Sequence, residues 1–298
     1  MSFDTHLGRI DKRKWESIKS NWYSYLSIID PPGTAPNYEI SDSILLREEI
    51  NNVKDSGEFK CDLVEIRKDI FREGIFLLHK AANVTGVTYS SATNGFLSWS
   101  NSSAYQSSFF AVKSIFCFCG MTFPKINGID YLVDIWPQTE PISNNQLKKG
   151  IQPIQKTKIL KFKNLNHYQY WRIFQRLLTI MDISIWNDDL VELLKIINPL
   201  DFGKQRNSLH YQNNYWLLTD LFQKMYDDSF SEIKISDINI SNFEVSVSNF
   251  SVVLSRIIFL LAFLLVNDIN QNAPILNDEV ALIVRSLRNF GCDSYLEI

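Results

Sequence analysis

The run IIFLLAFLLV, residues 257 to 266, lies between Arg256 and Asn267. Ten apolar residues are too few to cross a bilayer, so the run reads as a buried core helix that the rest of the chain must enclose. The sequence offers stripes suited to that task. Trp15, Ile18, Trp22, Tyr25, Leu26 and Ile29 recur at three- and four-residue steps, which predicts an amphipathic helix over 12–29, broken by DPPGTAP at 30–36. SDSILLREEINNVK predicts a second helix capped by Ser41 or Ser43. In CDLVEIRKDIFREGIFLLHKAANV, Ile66, Ile70, Leu77, Leu78 and Ala81 form another stripe. After a Ser/Thr/Gly stretch at 85–98, NSSAYQSSFFAVKSIFCFCG is apolar on most of its circumference and reads as the central helix.

Residues 121–157 contain four prolines and little periodicity, and are expected to form a long loop insertion. HYQYWRIFQRLLTIM predicts a helix, and NPLDFGKQRNSLHYQNNYWLLTDLFQKMY another, with Asn198 as N-cap and Pro199 at the first helical position. A period of two at 232–248 predicts a small β element, and helices over about 249–267 and 277–289 complete the chain. The expected fold is mainly α: an N-terminal helix and linker (1–40), a helical bundle (41–226) carrying the 121–157 loop, and a small β element with C-terminal helices packed on the bundle (227–298).

With 45% hydrophobic and 13% aromatic residues, a packed core is within reach. A net charge of −3 argues against nucleic-acid binding by bulk charge and leaves room for a local patch. No CxxC, HExxH, GxGxxG or GxxxxGK[ST] occurs, so zinc, Rossmann and phosphate-loop chemistries are not indicated and no metal or cofactor is expected. No secretory signal is evident at the N-terminus, and the expectation is a cytoplasmic protein without a membrane span.

Two features carry possible chemistry. No acidic residue occurs from 141 to 181, while Lys148, Lys149, Lys156, Lys158, Lys161, Lys163, Arg172 and Arg176 all do, interleaved with Phe162, Tyr168, Tyr170, Trp171 and Phe174. Cations among exposed rings hold single-stranded RNA by phosphate contact and base stacking. The second feature is RNSLHY at 206–211. On a helix Arg206 and His210 share one face and Asn213 follows on it, so a guanidinium for phosphate sits beside an imidazole able to exchange a proton. His167, opening the helix after the basic stretch, is a further candidate. His79 reads as a boundary residue of an amphipathic helix, and His6 falls in a terminal tail.

These segments resemble the higher-eukaryote and prokaryote nucleotide-binding (HEPN) helical domains. FREGIFLLHKAANV resembles their first helix, SAYQSSFFAVKSIFCFCGM their second, and RNSLHY the arginine, polar residue and histidine near their fourth. The resemblance spans roughly residues 62–226. It implies a metal-independent endoribonuclease acting as a homodimer, or with a protein partner, in a toxin or anti-phage system. It also implies roles for Arg206, Asn207 and His210 in cleavage by 2′-hydroxyl attack. The residue types and their placement, apart from the resemblance, make Asn213, His167, Lys158, Lys161, Lys163 and Arg172 the candidates for holding RNA. This chain has three residues between Arg206 and His210 where family members carry four to six. A non-catalytic helical subunit that binds RNA or protein through the same surface, and a structural protein whose aromatic residues serve assembly, stay open beside the enzyme.

Overall fold

The structure, a computed structural model, describes residues 13–26, 41, 43–53, 56–60, 64–135, 156–162, 165–203, 250–273, 276–292 and 296. Arg206, Asn207, His210, Asn213 and Lys163 lie outside this set, as do His6 and the β element expected at 232–248. The domain boundaries expected at 40/41 and 226/227 fall at or within segments that are likewise outside it. The described chain is mostly helical, as its periodicity predicts, and carries a small sheet. In chain order it forms β1 (Arg13–Lys14), α1 (Trp15–Leu26), α2 (Ile44–Val53), β2 (Ser56–Lys60), α3 (Val64–Thr93) and α4 (Leu97–Phe118). These are followed by β3 (Met121–Thr122), β4 (Lys125–Ile126), β5 (Ile129–Asp134), β6 (Lys156–Phe162), α5 (His167–Ile180), β7 (Met181–Asp182), α6 (Asp188–Ile196), α7 (Phe250–Asn270) and α8 (Asn277–Asn289).

The chain divides into two compact units. One takes residues 1–74, 116–166 and 180–183, and the other 75–115, 167–179 and 184–298.

The first unit holds the sheet, with strands in the order β2-β6-β5-β3 and β4 also on β5, antiparallel throughout. The strands at 121–122, 125–126 and 129–134, and the start of β6 at 156, therefore stand within the 121–157 segment expected to be a loop insertion. The signal is the Asn127–Gly128 pair between Ile126 and Ile129. Both residues have positive φ, 52° and 78°, the conformation a two-residue hairpin turn requires. Four prolines drew attention away from it, yet Pro124 sits between β3 and β4, where its carbonyl accepts from Tyr131 N–H at 3.0 Å and no ladder donor is lost.

Around the sheet, Trp22, Phe71 and Phe118 form a ring cluster, and Trp22 Nε1 donates to the Phe118 carbonyl at 2.8 Å. Arg13 grips the fully buried Asp134 carboxylate with both terminal nitrogens, at 2.7 and 3.1 Å. Burial pushes the nearby Cys119 thiol up to about 12, against the opposing pull of the Arg13 guanidinium. Ser43 caps α2 by accepting from Leu46 N–H, and its hydroxyl donates to Asp69.

The second unit is helical. The Ser/Thr/Gly stretch expected to interrupt the chain at 85–98 is instead helical as far as Thr93. The turn Asn94–Gly95 follows, closed by Phe96 N–H on the Ser91 carbonyl at 2.8 Å. The hydroxyls are satisfied within this hairpin: Thr88 bonds the Val84 carbonyl, Thr85 meets Ser107 at 2.6 Å, and Ser100 donates to the Thr88 carbonyl at 3.0 Å. Small polar residues thus serve as the contact between two close helices, and residues 81–112 contain no Asp, Glu, Lys, Arg or His.

α8 docks on α3 through three contacts. Glu279 meets His79 Nε2 at 2.6 Å, Ser286 donates to Asn83 at 2.7 Å, and the Phe290 ring fills the space a side chain at Gly86 would take. His79 therefore has a carboxylate partner that local periodicity does not reveal.

α7 is longer than its ten-residue apolar centre suggests. At 21 residues it is long and apolar enough to cross a membrane by composition alone, but 83% of its most apolar window is buried inside the protein, as a core helix requires. Trp186 Nε1 adds a bond to its Leu261 carbonyl at 2.9 Å. α6 is capped by Asn187, carries Asp188 and Asp189 in its first turn where the dipole favours anions, and is closed by Gln175, whose amide donates to the carbonyls of Leu194 and Ile197.

Candidate nucleic-acid interface

α5 positions the described part of the basic island in the helical unit. Its inward face, with Tyr170, Trp171, Ile173, Phe174, Leu177 and Leu178, is buried. The 3.6-residue period then forces Tyr168, Arg172 and Arg176, at i, i+4 and i+8, onto the exposed side. The Arg172 guanidinium lies 5.9 Å from the centroid of the Tyr168 ring, which is 39% exposed. A cation on an exposed ring is suited to a stacked base with its phosphate.

At the start of α5, His167 meets a residue that sequence reasoning did not single out. Tyr105 Oη lies 2.6 Å from His167 Nδ1, and the imidazole stacks on Phe109 with centroids 4.6 Å apart and planes 25° apart. Tyr105, Phe109 and Lys113 follow one another at i, i+4 and i+8 on α4. The Lys113 ammonium lies 5.4 Å from the Phe109 centroid and 5.6 Å from that of Tyr170. The spacing, and the fact that Lys113 is the one charged residue in α4, are both visible in the sequence. The reading of α4 as a central helix apolar on most of its circumference passed over them.

Beneath this surface Trp171 stacks on Phe202 with centroids 4.3 Å apart and planes 11° apart. Residues 201–203 are helical after a turn at 199–200 in which Asn198 accepts from Leu200 N–H at 3.0 Å, so the helix starts two residues later than the expected Asn198 cap and Pro199 opening, and Asn198 closes the turn instead. The chain thus passes α5 immediately before the RNSLHY stretch.

The other described charges of the island stand elsewhere. Lys158 and Lys161 belong to β6, in the sheet-bearing unit. Lys158 is half-buried, with Asp134 on β5 and Glu58 on β2 as its register partners, while Lys161 is exposed opposite Tyr131. Of the charges contiguous in sequence, those described are therefore shared between two units, Lys156, Lys158 and Lys161 in one and Arg172 and Arg176 in the other. Among the described residues no three His, Cys, Asp or Glu side chains gather where they could hold a metal ion. No family model, curated protein or solved structure matches this chain.

Proposed function

We propose that the chain is a helical RNA-binding protein of HEPN-like organisation, which holds single-stranded RNA on the outer side of α5 and cuts it with Arg206, Asn207 and His210. The observation that carries this reading is the Arg172–Tyr168 pair on the exposed side of α5, one turn from the His167–Tyr105 contact. Supporting it, Phe202 stacks on Trp171 of the same helix four residues before Arg206. Arg206 would hold the charge that builds on the phosphoryl oxygens, and His210 would move the proton of the attacking 2′-hydroxyl. Asn213, three residues after His210 in the sequence, would contact RNA as well, and Lys158, Lys161 and Lys163 would supply further phosphate contacts. A second copy of the chain, and a role in a toxin or anti-phage system in the cytoplasm, belong to the same proposal.

The test is incubation of the purified chain with end-labelled single-stranded RNA in EDTA. Cleavage to a 2′,3′-cyclic phosphate is expected. His210→Ala should lower the rate by roughly two to four orders of magnitude with little change in affinity, and Arg172→Ala with Tyr168→Ala should weaken binding by about tenfold or more. RNA that is bound and never cut would make the chain a binding subunit. RNA that is not bound would end the proposal.

A further inference from the structure

We propose that Tyr105 is a positioning residue that fixes His167 so that its Nε2 is always a hydrogen-bond donor, and that the group it receives is a phosphodiester oxygen of single-stranded RNA. The inference rests on the reading of α5 as the RNA surface. Tyr105 is 4% exposed, and its hydroxyl lies 2.6 Å from His167 Nδ1, a short O–H···N distance. Between a phenol and a neutral imidazole, the phenol is the better acid and the bare ring nitrogen the better acceptor, so the shared proton stays with Tyr105 and the ring carries its own proton at Nε2. When the ring is protonated, Nδ1–H turns the bond round and donates to the phenol oxygen, and Nε2 keeps its proton.

Both states therefore present an N–H at Nε2. His167 is a phosphate holder and not a general base. Phe109, stacked on the imidazole, fixes the ring plane as Tyr105 fixes the rotation. The surroundings favour an anion: Lys113 lies over the same Phe109 ring, α4 contains no acidic residue, and neither does the first turn of α5. Tyr168 with Arg172, one residue and five residues along α5, favours a nucleotide over a simple carboxylate.

The full chain, labelled with 15N-histidine, is read by long-range proton–nitrogen correlation at a pH where the ring is neutral. The His167 signal is the one lost in His167→Ala. Expected is a bare Nδ1 with a protonated Nε2, and a displaced Nδ1 shift in Tyr105→Phe, which removes only the hydroxyl. A fluorescent single-stranded RNA should then bind His167→Ala about tenfold more weakly and Tyr105→Phe about threefold more weakly. The double variant should bind no more weakly than His167→Ala alone, because Tyr105 acts through the histidine. A wild-type spectrum with Nδ1 protonated and Nε2 bare, or losses that add, overturns the role of Tyr105 and leaves the RNA reading standing. Wild-type protein that does not bind the RNA overturns that reading, and the phosphate role with it, whatever the spectrum.

Discussion

The Arg13–Asp134 contact and the seam between α3 and α4 are both buried and both polar, yet they satisfy their polar groups in different ways. At the first, a carboxylate without solvent contact is held at two points by a guanidinium 121 residues away. At the second, Thr85, Thr88, Ser100 and Ser107 each reach a carbonyl or another hydroxyl, Thr88 within one turn of its own helix and the others across the seam. Charge in an interior needs one particular partner, because the desolvation it suffers is repaid by little else. A hydroxyl needs only some acceptor, and a helix offers one every turn. The first contact is therefore brittle and the second forgiving.

The largest effect should come from breaking the ion pair. Asp134→Ala leaves a buried guanidinium uncompensated and should cost about 3 to 5 kcal/mol, read from denaturant midpoints. A loss below about 1 kcal/mol would place the pair among ordinary surface bridges.

A smaller effect lies in the titration of Cys119, next to that pair. Its folded pKa, near 12, lies above the ordinary value of 9.0, so the unfolded chain releases the proton first. Stability from this group is whole below pH 9 and is lost as pH rises from there toward 12. Between pH 8 and 10 the wild type should lose about 1 to 2 kcal/mol that Cys119→Ala retains. Parallel stability curves for the two proteins would show the thiol to be in contact with water.

The smallest effect belongs to the seam. Thr85→Val removes one hydroxyl and should cost about 1 kcal/mol, while adding Ser107→Ala should cost less than the same change made alone, since the bond between the two hydroxyls is already gone and only that from Ser107 to the Ala81 carbonyl remains to be lost. Fully additive losses would mean that the seam is as exacting as the ion pair and would erase the contrast.

The contrast also explains what could be read from the sequence. Helical stripes such as Trp15–Ile18–Trp22 and the inward face of α5 repeat locally, and local repetition is what a sequence displays. The helices at 44–53, 167–180 and 277–289 follow from it, as does the Ser43 cap. The helix over 85–93 was hidden because Ser and Thr normally mark breaks. Here their hydroxyls bond to carbonyls of their own helix or to α4, and those partners are visible only once the hairpin is closed. The hairpin at Asn127–Gly128 was legible and was masked by its prolines.

Of the candidate site, the exposed placement of Tyr168 and Arg172 follows from α5's period. The hold of Tyr105 on His167 spans 62 residues, and that of Glu279 on His79 spans 200. Periodicity carries no information about either. The division of the basic island between a strand and a helix was likewise hidden, because a run of like charges looks the same on either element.

The charge-free run at 81–112 has a consequence for the order of events during synthesis. The partners that cover one side of it on α8, Ser286 and Glu279, stand 203 and 200 residues after Asn83 and His79. At a synthesis rate of about 5 to 20 residues per second, the hairpin of α3 and α4 waits on the order of 10 to 40 seconds for them. Over that interval the hydroxyls that bind the two helices to each other are what keep the hairpin closed, and no charge within it repels a neighbouring nascent chain.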